Sequence, residues 1–229
     1  MLTIGVIGAG QIGSAIARVL AETGKYRVVA SRRRVEKVKD LERLGVKLTR
    51  VNREVAEESD VIFISVKPYK VPEVLNEISD LLRGKLLISV AAAISISKLE
   101  KLAPEAKIVR AMPNIALRVK AGFIAYSRGS KVSEEDIKLV REIFSEMGYC
   151  MEVDENLMDA VTALSGSGPA YVDPSRGHGP RWAEGWIAER SRLRILCIHD
   201  LWNCEDDPRP RAASSHDQGD GLDSRWNDY

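Results

Sequence analysis

The chain has 229 residues, enough for one large domain or two modest ones. Its 34 basic and 33 acidic residues give a formal net charge of +1, so no basic surface indicates a nucleic-acid partner. No apolar run reaches the roughly 18 residues that a membrane span needs, and the first residues do not resemble an export signal. Three cysteines are too few for a disulfide scaffold, and these features together predict a cytoplasmic protein.

Short apolar runs alternate with stretches of helical periodicity over residues 1–153. The predicted strands are 2–7, 26–30, 61–66, 86–90, 108–111, 122–126 and 149–153. The predicted helices are 12–23, 35–44, 71–82, 95–102, 133–147 and 154–164, the last two capped by Ser133 and Asp154. Such alternation predicts an α/β fold with a Rossmann-type, doubly wound parallel sheet that is covered by helices on both faces.

Three glycines form the pattern G-x-G-x-x-G between the first predicted strand and the first predicted helix. In this position the pattern predicts a site for the phosphates of a dinucleotide. Gly8 permits the tight turn, Gly10 lets the pyrophosphate approach the backbone, and Gly13 lets the helix pack on the strand. The N-terminus of the helix offers its free N–H groups to the phosphates. A glycine turn without a ligand is the alternative.

The residues after the second strand indicate which dinucleotide binds. NAD enzymes usually place Asp or Glu there, bonded to the ribose 2′-OH. This chain has Ser31, Arg32, Arg33 and Arg34 instead. A guanidinium group suits a 2′-phosphate, so the sequence predicts NADPH rather than NADH. The alternative is a solvated basic start to the next helix, although cations at a helix N-terminus oppose the helix dipole.

A second candidate segment follows the strand 61–66. Val66, Lys67 and Pro68 are expected at the carboxyl edge of the sheet, where ligands bind in such folds. Lys67 faces either the cofactor or water, and the sequence favours neither. Cys150 is predicted to be a small core residue rather than a nucleophile. The three histidines are not clustered, so neither a metal site nor a histidine base is predicted.

Five ordered motifs in residues 1–172 resemble those of pyrroline-5-carboxylate reductases. They are Gly8-Ala9-Gly10-Gln11-Ile12-Gly13, Val66-Lys67-Pro68, Ser89-Val90-Ala91-Ala92, Arg110-Ala111-Met112-Pro113-Asn114 and the run 160–171. The resemblance implies an NADP-binding Rossmann domain at 1–153 and a helical dimerisation domain, of which 154–172 is the first part. It also implies hydride transfer from NAD(P)H to the imine carbon of 1-pyrroline-5-carboxylate, which gives L-proline.

The same resemblance implies contacts with the cofactor. Asn52 would lie near its adenosine end, and five residues would lie along its length: Val66, Lys67, Pro68, Ala91 and Ala92. The glycine-rich loop with Ala9, Gln11 and Ile12, together with Ser31, Arg32 and Arg33, completes the predicted binding site. No catalytic residue is assigned, because the family's substrate loop Thr/Ser-Pro-Gly-Gly-Thr/Ala-Thr is not found in residues 1–229. The family's homo-oligomer forms through the helical domain, and we expect this chain to have lost it.

The composition changes abruptly after Val172. Every Lys, Val, Thr, Met and Phe lies before residue 173, whereas all four Trp and all three His follow it. A domain boundary rarely abolishes so many residue types at one point. Residues 173–229 also lack sustained apolar periodicity, so we predict a disordered tail that is unrelated to the family.

We interpret the tail as a frameshifted version of the family's own C-terminal domain. With permitted synonymous codons, the run 223–229 read one base later gives Thr-Pro-Gly-Gly-Thr-Thr, which matches the missing substrate loop. In the same frame, 201–207 gives Tyr-Gly-Thr-Ala-Lys-Met-Ile, which resembles a helix of the family. The alternative is a genuine C-terminus with its own role. If the frame has shifted, we expect the polypeptide to have little reductase activity.

Two further functions are kept open. One is another NADP-dependent reductase of the same fold, such as a β-hydroxyacid dehydrogenase. Those enzymes usually depend on a lysine in the helix after the Rossmann domain, and no lysine follows Lys138. The other is a non-catalytic NADP-binding module, which would bind the cofactor without turnover.

Overall fold

The computed structural model describes residues 1–166. Its eight strands are β1 (Thr3–Ile7), β2 (Arg27–Ser31), β3 (Lys47–Thr49), β4 (Val61–Ile64), β5 (Leu86–Ser89), β6 (Lys107–Pro113), β7 (Gly122–Arg128) and β8 (Gly148–Glu152). The α-helices in this part of the chain are α1 (Gln11–Glu22), α2 (Asn52–Glu58), α3 (Val71–Ile78), α4 (Ile96–Leu102), α5 (Glu134–Ser145) and α6 (Met158–Val161). None of these helices is long and apolar enough to cross a membrane.

All eight strands belong to one sheet, in the order β3-β2-β1-β4-β5-β6-β7-β8. The six strands from β3 to β6 run parallel, with Gly5 of β1 opposite both Val29 and Ile62 of its neighbours. This arrangement confirms the predicted Rossmann-type α/β fold. The sheet is mixed rather than purely parallel, because β7 pairs antiparallel with β6 before β8 pairs parallel with β7.

Apolar side chains cover both faces of the sheet. On one face, α1 and α5 pack against strand residues such as Val6 and Phe63. On the other face, α2, α3 and α4 pack against residues such as Ile62 and Leu87. A smaller cluster joins Met158 of α6 to the end of the sheet that β6, β7 and β8 form. Because successive strand residues point to opposite faces, a strand that is buried on both faces reads as a continuous apolar run.

Some local predictions were confirmed and others need correction. The Ser133 hydroxyl accepts a hydrogen bond from the Asp136 N–H, and Asp136 bonds back to Ser133, which completes the predicted capping box. The segment Val35–Leu44 is not one α-helix but 3₁₀ turns, with a break at Val38. β3 and α2 were not predicted, because both are short and rich in polar residues.

The predicted helix 154–164 was also wrong in form. The structure has a 3₁₀ turn at Glu155–Leu157, the single turn of α6, and π-type turns over Thr162–Gly166. Asp154 stands before the first turn but its side chain makes no cap hydrogen bond. The predictions for 167–172 and for the tail 173–229 lie outside the described residues. The proposed boundary at 153 stays a prediction.

Candidate functional site

The glycine-rich loop joins the carboxyl end of β1 to α1 and folds over the end of β2. The N–H groups of Gly8 and Ala9 both donate to the carbonyl oxygen of Ser31, at 3.2 and 2.8 Å. The N–H of Gly10 donates back to Gly8 O at 2.7 Å, which closes the turn. Gly8 has a φ of +95°, which residues with a side chain rarely adopt. The loop is therefore fixed to the carboxyl ends of β1 and β2.

The three glycines differ in how much space surrounds them. A β-carbon on Gly13 would lie 2.3 Å from Gly8 O, and one on Gly8 would lie 2.6 Å from a methyl carbon of Val66. A β-carbon on Gly10 would meet no atom of the described chain closer than 3.9 Å, again Gly8 O. Packing within the protein therefore requires glycine at positions 8 and 13 but not at position 10. The open space at Gly10 is where a ligand can approach the backbone.

The N-terminus of α1 faces this open space. Its N-cap residue is Gly10, which has no side chain to accept from the first N–H groups, and its first turn carries no acidic residue. The first N–H groups of a helix have no partner within the helix, and the helix dipole adds partial positive charge there. The end of α1 can therefore bind an anion such as a phosphate.

Polar side chains at the end of β2 form a connected network. The hydroxyl of Ser31, which is buried, donates to Oδ1 of Asn52 at 2.8 Å. Nδ2 of Asn52 donates to Oε2 of Glu77 at 2.8 Å. Asn52 begins α2 and Glu77 lies on α3, so three elements meet at this point. The Arg32 guanidinium donates to the carbonyl oxygen of Ala9 at 2.7 Å, which ties the end of β2 to the loop.

The basic residues at this edge differ in their surroundings. Arg32 is half-buried against the loop, whereas Arg33 and Arg34 are exposed. Lys70 donates to Glu73, and this bond is the main reason why the pKa of Glu73 lies below its ordinary value. The positive charge of Arg33 lowers that pKa further. Arg33 is thus more exposed than Arg32, whose guanidinium group donates to the loop.

The other predicted contacts lie at the same edge. Val66 and Pro68 are half-buried after β4, and Lys67 is exposed between them. Ala91 is buried and Ala92 half-buried directly after β5. The carboxyl ends of β1, β2, β4 and β5 thus bring the predicted residues to one edge of the sheet. Their contacts with a cofactor stay predictions.

Two residues of the motif 110–114 have roles that sequence analysis did not assign. Asn114 is buried, its Oδ1 accepts from the N–H of Phe123 at 3.2 Å, and its Nδ2 donates to the hydroxyl of Ser165 at 3.4 Å. Arg110 is buried and donates to Glu155 at 3.0 Å and to Asp159 at 3.3 Å. Polar residues inside a buried strand were the available signal, but their side-chain partners Glu155, Asp159 and Ser165 lie 45 to 51 residues away.

A separate cavity of about 860 Å³ lies at another part of the sheet. Its lining comes from α4 and from the carboxyl ends of β7 and β8, and it includes Glu100, Arg128 and Glu152. No residue of the glycine-rich loop lines it. Since β7 runs opposite to β6, these strand ends lie away from the edge that carries the loop. We therefore place the candidate site at the loop and not in this cavity.

The fold and the loop together define a Rossmann-type protein with a dinucleotide-binding fingerprint. A family model described as "NADP oxidoreductase coenzyme F420-dependent" matches residues 3–93. A pyrroline-5-carboxylate reductase 2 of Pongo abelii is 40% identical over 181 residues, which cover 75% of this chain and 57% of that protein. A pyrroline-5-carboxylate reductase of Methanosarcina acetivorans is 38% identical over 177 residues, which cover 75% of this chain and 66% of that protein.

A comparison with solved structures points to the same family as the sequence relatives. The crystal structure of Plasmodium falciparum pyrroline carboxylate reductase with NADP bound is 30% identical, with a TM-score of 0.70, and the match covers 91% of this chain and 80% of that one. The chain belongs to the pyrroline-5-carboxylate reductase family. It spans 57% of the length of the Pongo abelii relative.

Proposed function

We propose that residues 1–166 bind NADP(H) and belong to an enzyme that reduces 1-pyrroline-5-carboxylate to L-proline. The observation that carries the proposal is the open space at Gly10, which the N-terminus of α1 faces. Packing within the protein does not require glycine at this position. A pyrophosphate would fit there, since backbone N–H groups and the helix dipole both favour anions. When bound, NADPH would supply the hydride for the C=N bond. The NADP-bound relative from Plasmodium falciparum supports the same cofactor.

In this proposal each segment of the edge has a separate task. The first N–H groups of α1 bind the pyrophosphate, and Asn52 lies beside the adenosine ribose. Arg33 binds the 2′-phosphate, which makes NADPH the preferred cofactor over NADH. Lys67 and Ala92 lie along the remainder of the cofactor. The reduction needs a positioned cofactor more than a strong acid, because a protonated imine is already electrophilic.

We further propose that the polypeptide of residues 1–229 turns over slowly or not at all. Its sequence contains no Thr-Pro-Gly-Gly-Thr-Thr segment in the frame as given. The frameshift that we infer for 173–229 would account for both the missing loop and the change in composition at 173. The same shift would remove the family's oligomeric interface.

Two measurements test these proposals. Calorimetric titration of the 229-residue chain should give saturable NADPH binding that is tighter than NADH binding, and a chain that binds neither would refute the assignment of the site. Resequencing the gene around codons 171–174 should reveal one lost or gained base. The restored-frame protein should reduce 1-pyrroline-5-carboxylate with NADPH while the 229-residue chain does not. Equal turnover by the two proteins would refute the loss of activity.

A further inference from the structure

The network at the end of β2 contains an acid that the sequence pattern did not indicate. Ser31 donates to Asn52 Oδ1 and Asn52 Nδ2 donates to Glu77 Oε2, each at 2.8 Å. We call these three side chains the Ser31–Asn52–Glu77 relay. Glu77 comes from α3, 25 residues after Asn52, so it does not occupy the usual position of an acid at the end of β2.

Glu77 determines the orientation of the Asn52 amide. A carboxylate can only accept hydrogen bonds, so the amide must turn its Nδ2 toward Glu77. The opposite orientation would place Oδ1 of Asn52 against an oxygen of Glu77, and two acceptors cannot form a hydrogen bond. Oδ1 is therefore directed at Ser31, whose hydroxyl donates to it. One proton of Nδ2 remains for a ligand, since the amide nitrogen carries two.

The relay also brings a negative charge close to the expected position of the ribose. The residue at the end of β2 meets the ribose 2′ group in this fold, and the Glu77 carboxylate lies two hydrogen bonds from Ser31. A 2′-hydroxyl tolerates that charge, whereas a 2′-phosphate is repelled by it. Arg33 and Glu77 would thus act in opposite directions on the choice of cofactor.

From this geometry we propose that Glu77 is a specificity-determining residue that weakens the preference for NADPH over NADH. Its charge acts against the 2′-phosphate, and its hydrogen bond positions Asn52 for both cofactors. The inference rests on the proposed function, because it requires NADP(H) at this edge. Glu77 is exposed, so the effect of its charge is moderated by solvent and depends on salt.

The test compares two substitutions of Glu77 by titration with NADPH and with NADH. Glu77→Gln removes the charge but keeps an acceptor for Asn52, so we expect the NADPH-to-NADH affinity ratio to rise about three- to tenfold. Glu77→Ala also releases Asn52, so we expect binding of both cofactors to weaken relative to Glu77→Gln. The rise with Glu77→Gln should shrink at about 1 M salt, which a purely structural effect would not do.

Glu57→Gln is the matched control. Glu57 is an exposed carboxylate five residues after Asn52 on α2, so its loss changes the net charge equally but leaves the hydrogen bonds of the relay in place. Thermal unfolding would verify that each variant is folded. If Glu77→Gln shifts the affinity ratio no more than Glu57→Gln does, the inference is wrong. If the parent chain binds neither cofactor, the proposed function itself fails, which is a distinct result.

Discussion

The carbonyl oxygen of Gly8 lies 2.3 Å from the point where a β-carbon on Gly13 would stand. This close approach joins the turn after β1 to the first turn of α1, and it leaves no room for a side chain. Gly10, between them, has open space instead. The same motif therefore contains a glycine needed for packing and a glycine that we assign to the ligand, and substitution can separate the two.

We expect Gly13→Ala to lower the free energy of unfolding by about 3 kcal/mol, because the clash with Gly8 O forces the loop to move. Gly10→Ala should change that free energy by less than about 1 kcal/mol, since only an N-cap glycine is replaced. It should nevertheless weaken NADPH binding at least about tenfold, because the methyl group occupies the ligand's space. Urea unfolding and calorimetric titration measure the two effects. Unchanged NADPH affinity in Gly10→Ala would contradict the proposed position of the pyrophosphate.

Arg33→Ala should weaken NADPH binding about tenfold and leave NADH binding within about twofold. The lost group would make a charge-assisted hydrogen bond to the 2′-phosphate, which NADH lacks. Arg33 is exposed, so the fold should be unaffected. Arg43→Ala is the control, because Arg43 is also exposed and lies near the end of the 3₁₀ segment Val35–Leu44 that follows Arg34. Equal losses for the two cofactors would argue against a contact between Arg33 and the 2′-phosphate.

Arg110 should contribute far more to the free energy of unfolding than Asp159, one of its two partners. Its side chain is 6% exposed, and Glu155, which also accepts from the N–H of Ile96, is 33% exposed. Arg110→Ala should cost about 3 kcal/mol, since it leaves a cavity where the buried side chain packed and removes a hydrogen bond to the partly buried Glu155. Asp159→Ala should cost less than about 0.5 kcal/mol, because that side chain is 89% exposed. Denaturant unfolding of both variants checks this ranking, which similar losses would refute.

Glu152 should make stability depend on pH in the acid range. Hydrogen bonds from Arg128 hold the pKa of Glu152 below its ordinary value of 4.5, and Arg141 lowers it further. A carboxyl whose pKa is lower in the folded state stabilises the fold above the unfolded pKa, and that contribution disappears as the pH falls through the folded pKa.

Glu152→Gln should therefore reduce the free energy of unfolding by about 1 kcal/mol at pH 7, with solvent screening of this partly exposed pair taken into account. The difference from the parent chain should shrink as the pH is lowered from about 5. Glu57→Gln, an exposed position outside the first turn of α2, should show little difference at any pH. A Glu152→Gln difference that stays constant from pH 7 to pH 3 would contradict this account.

Much of the fold could be predicted because its strands are buried on both faces. β1, β2, β4 and β5 form continuous apolar runs, and the fingerprint at Gly8, Gly10 and Gly13 fixes the first turn. β3 escaped prediction because only three residues, Lys47 to Thr49, pair with β2. The direction of β7 could not be predicted either, since the alternation of side chains along a strand is the same for parallel and antiparallel pairing.

The amino-acid sequence by itself determined the order of the elements, the glycine-rich loop and the family motifs, because each depends on neighbouring residues. Only the tertiary structure decided which side chains meet at the candidate site. Ser31 lies 21 residues from Asn52 and Glu77 lies 25 residues beyond it, so no local pattern could connect them. The parallel strands carry their carboxyl ends to one edge, and the helices after them bring distant polar groups into contact there. A hydrogen bond depends on distance and direction in space, and these are set by packing rather than by spacing along the chain.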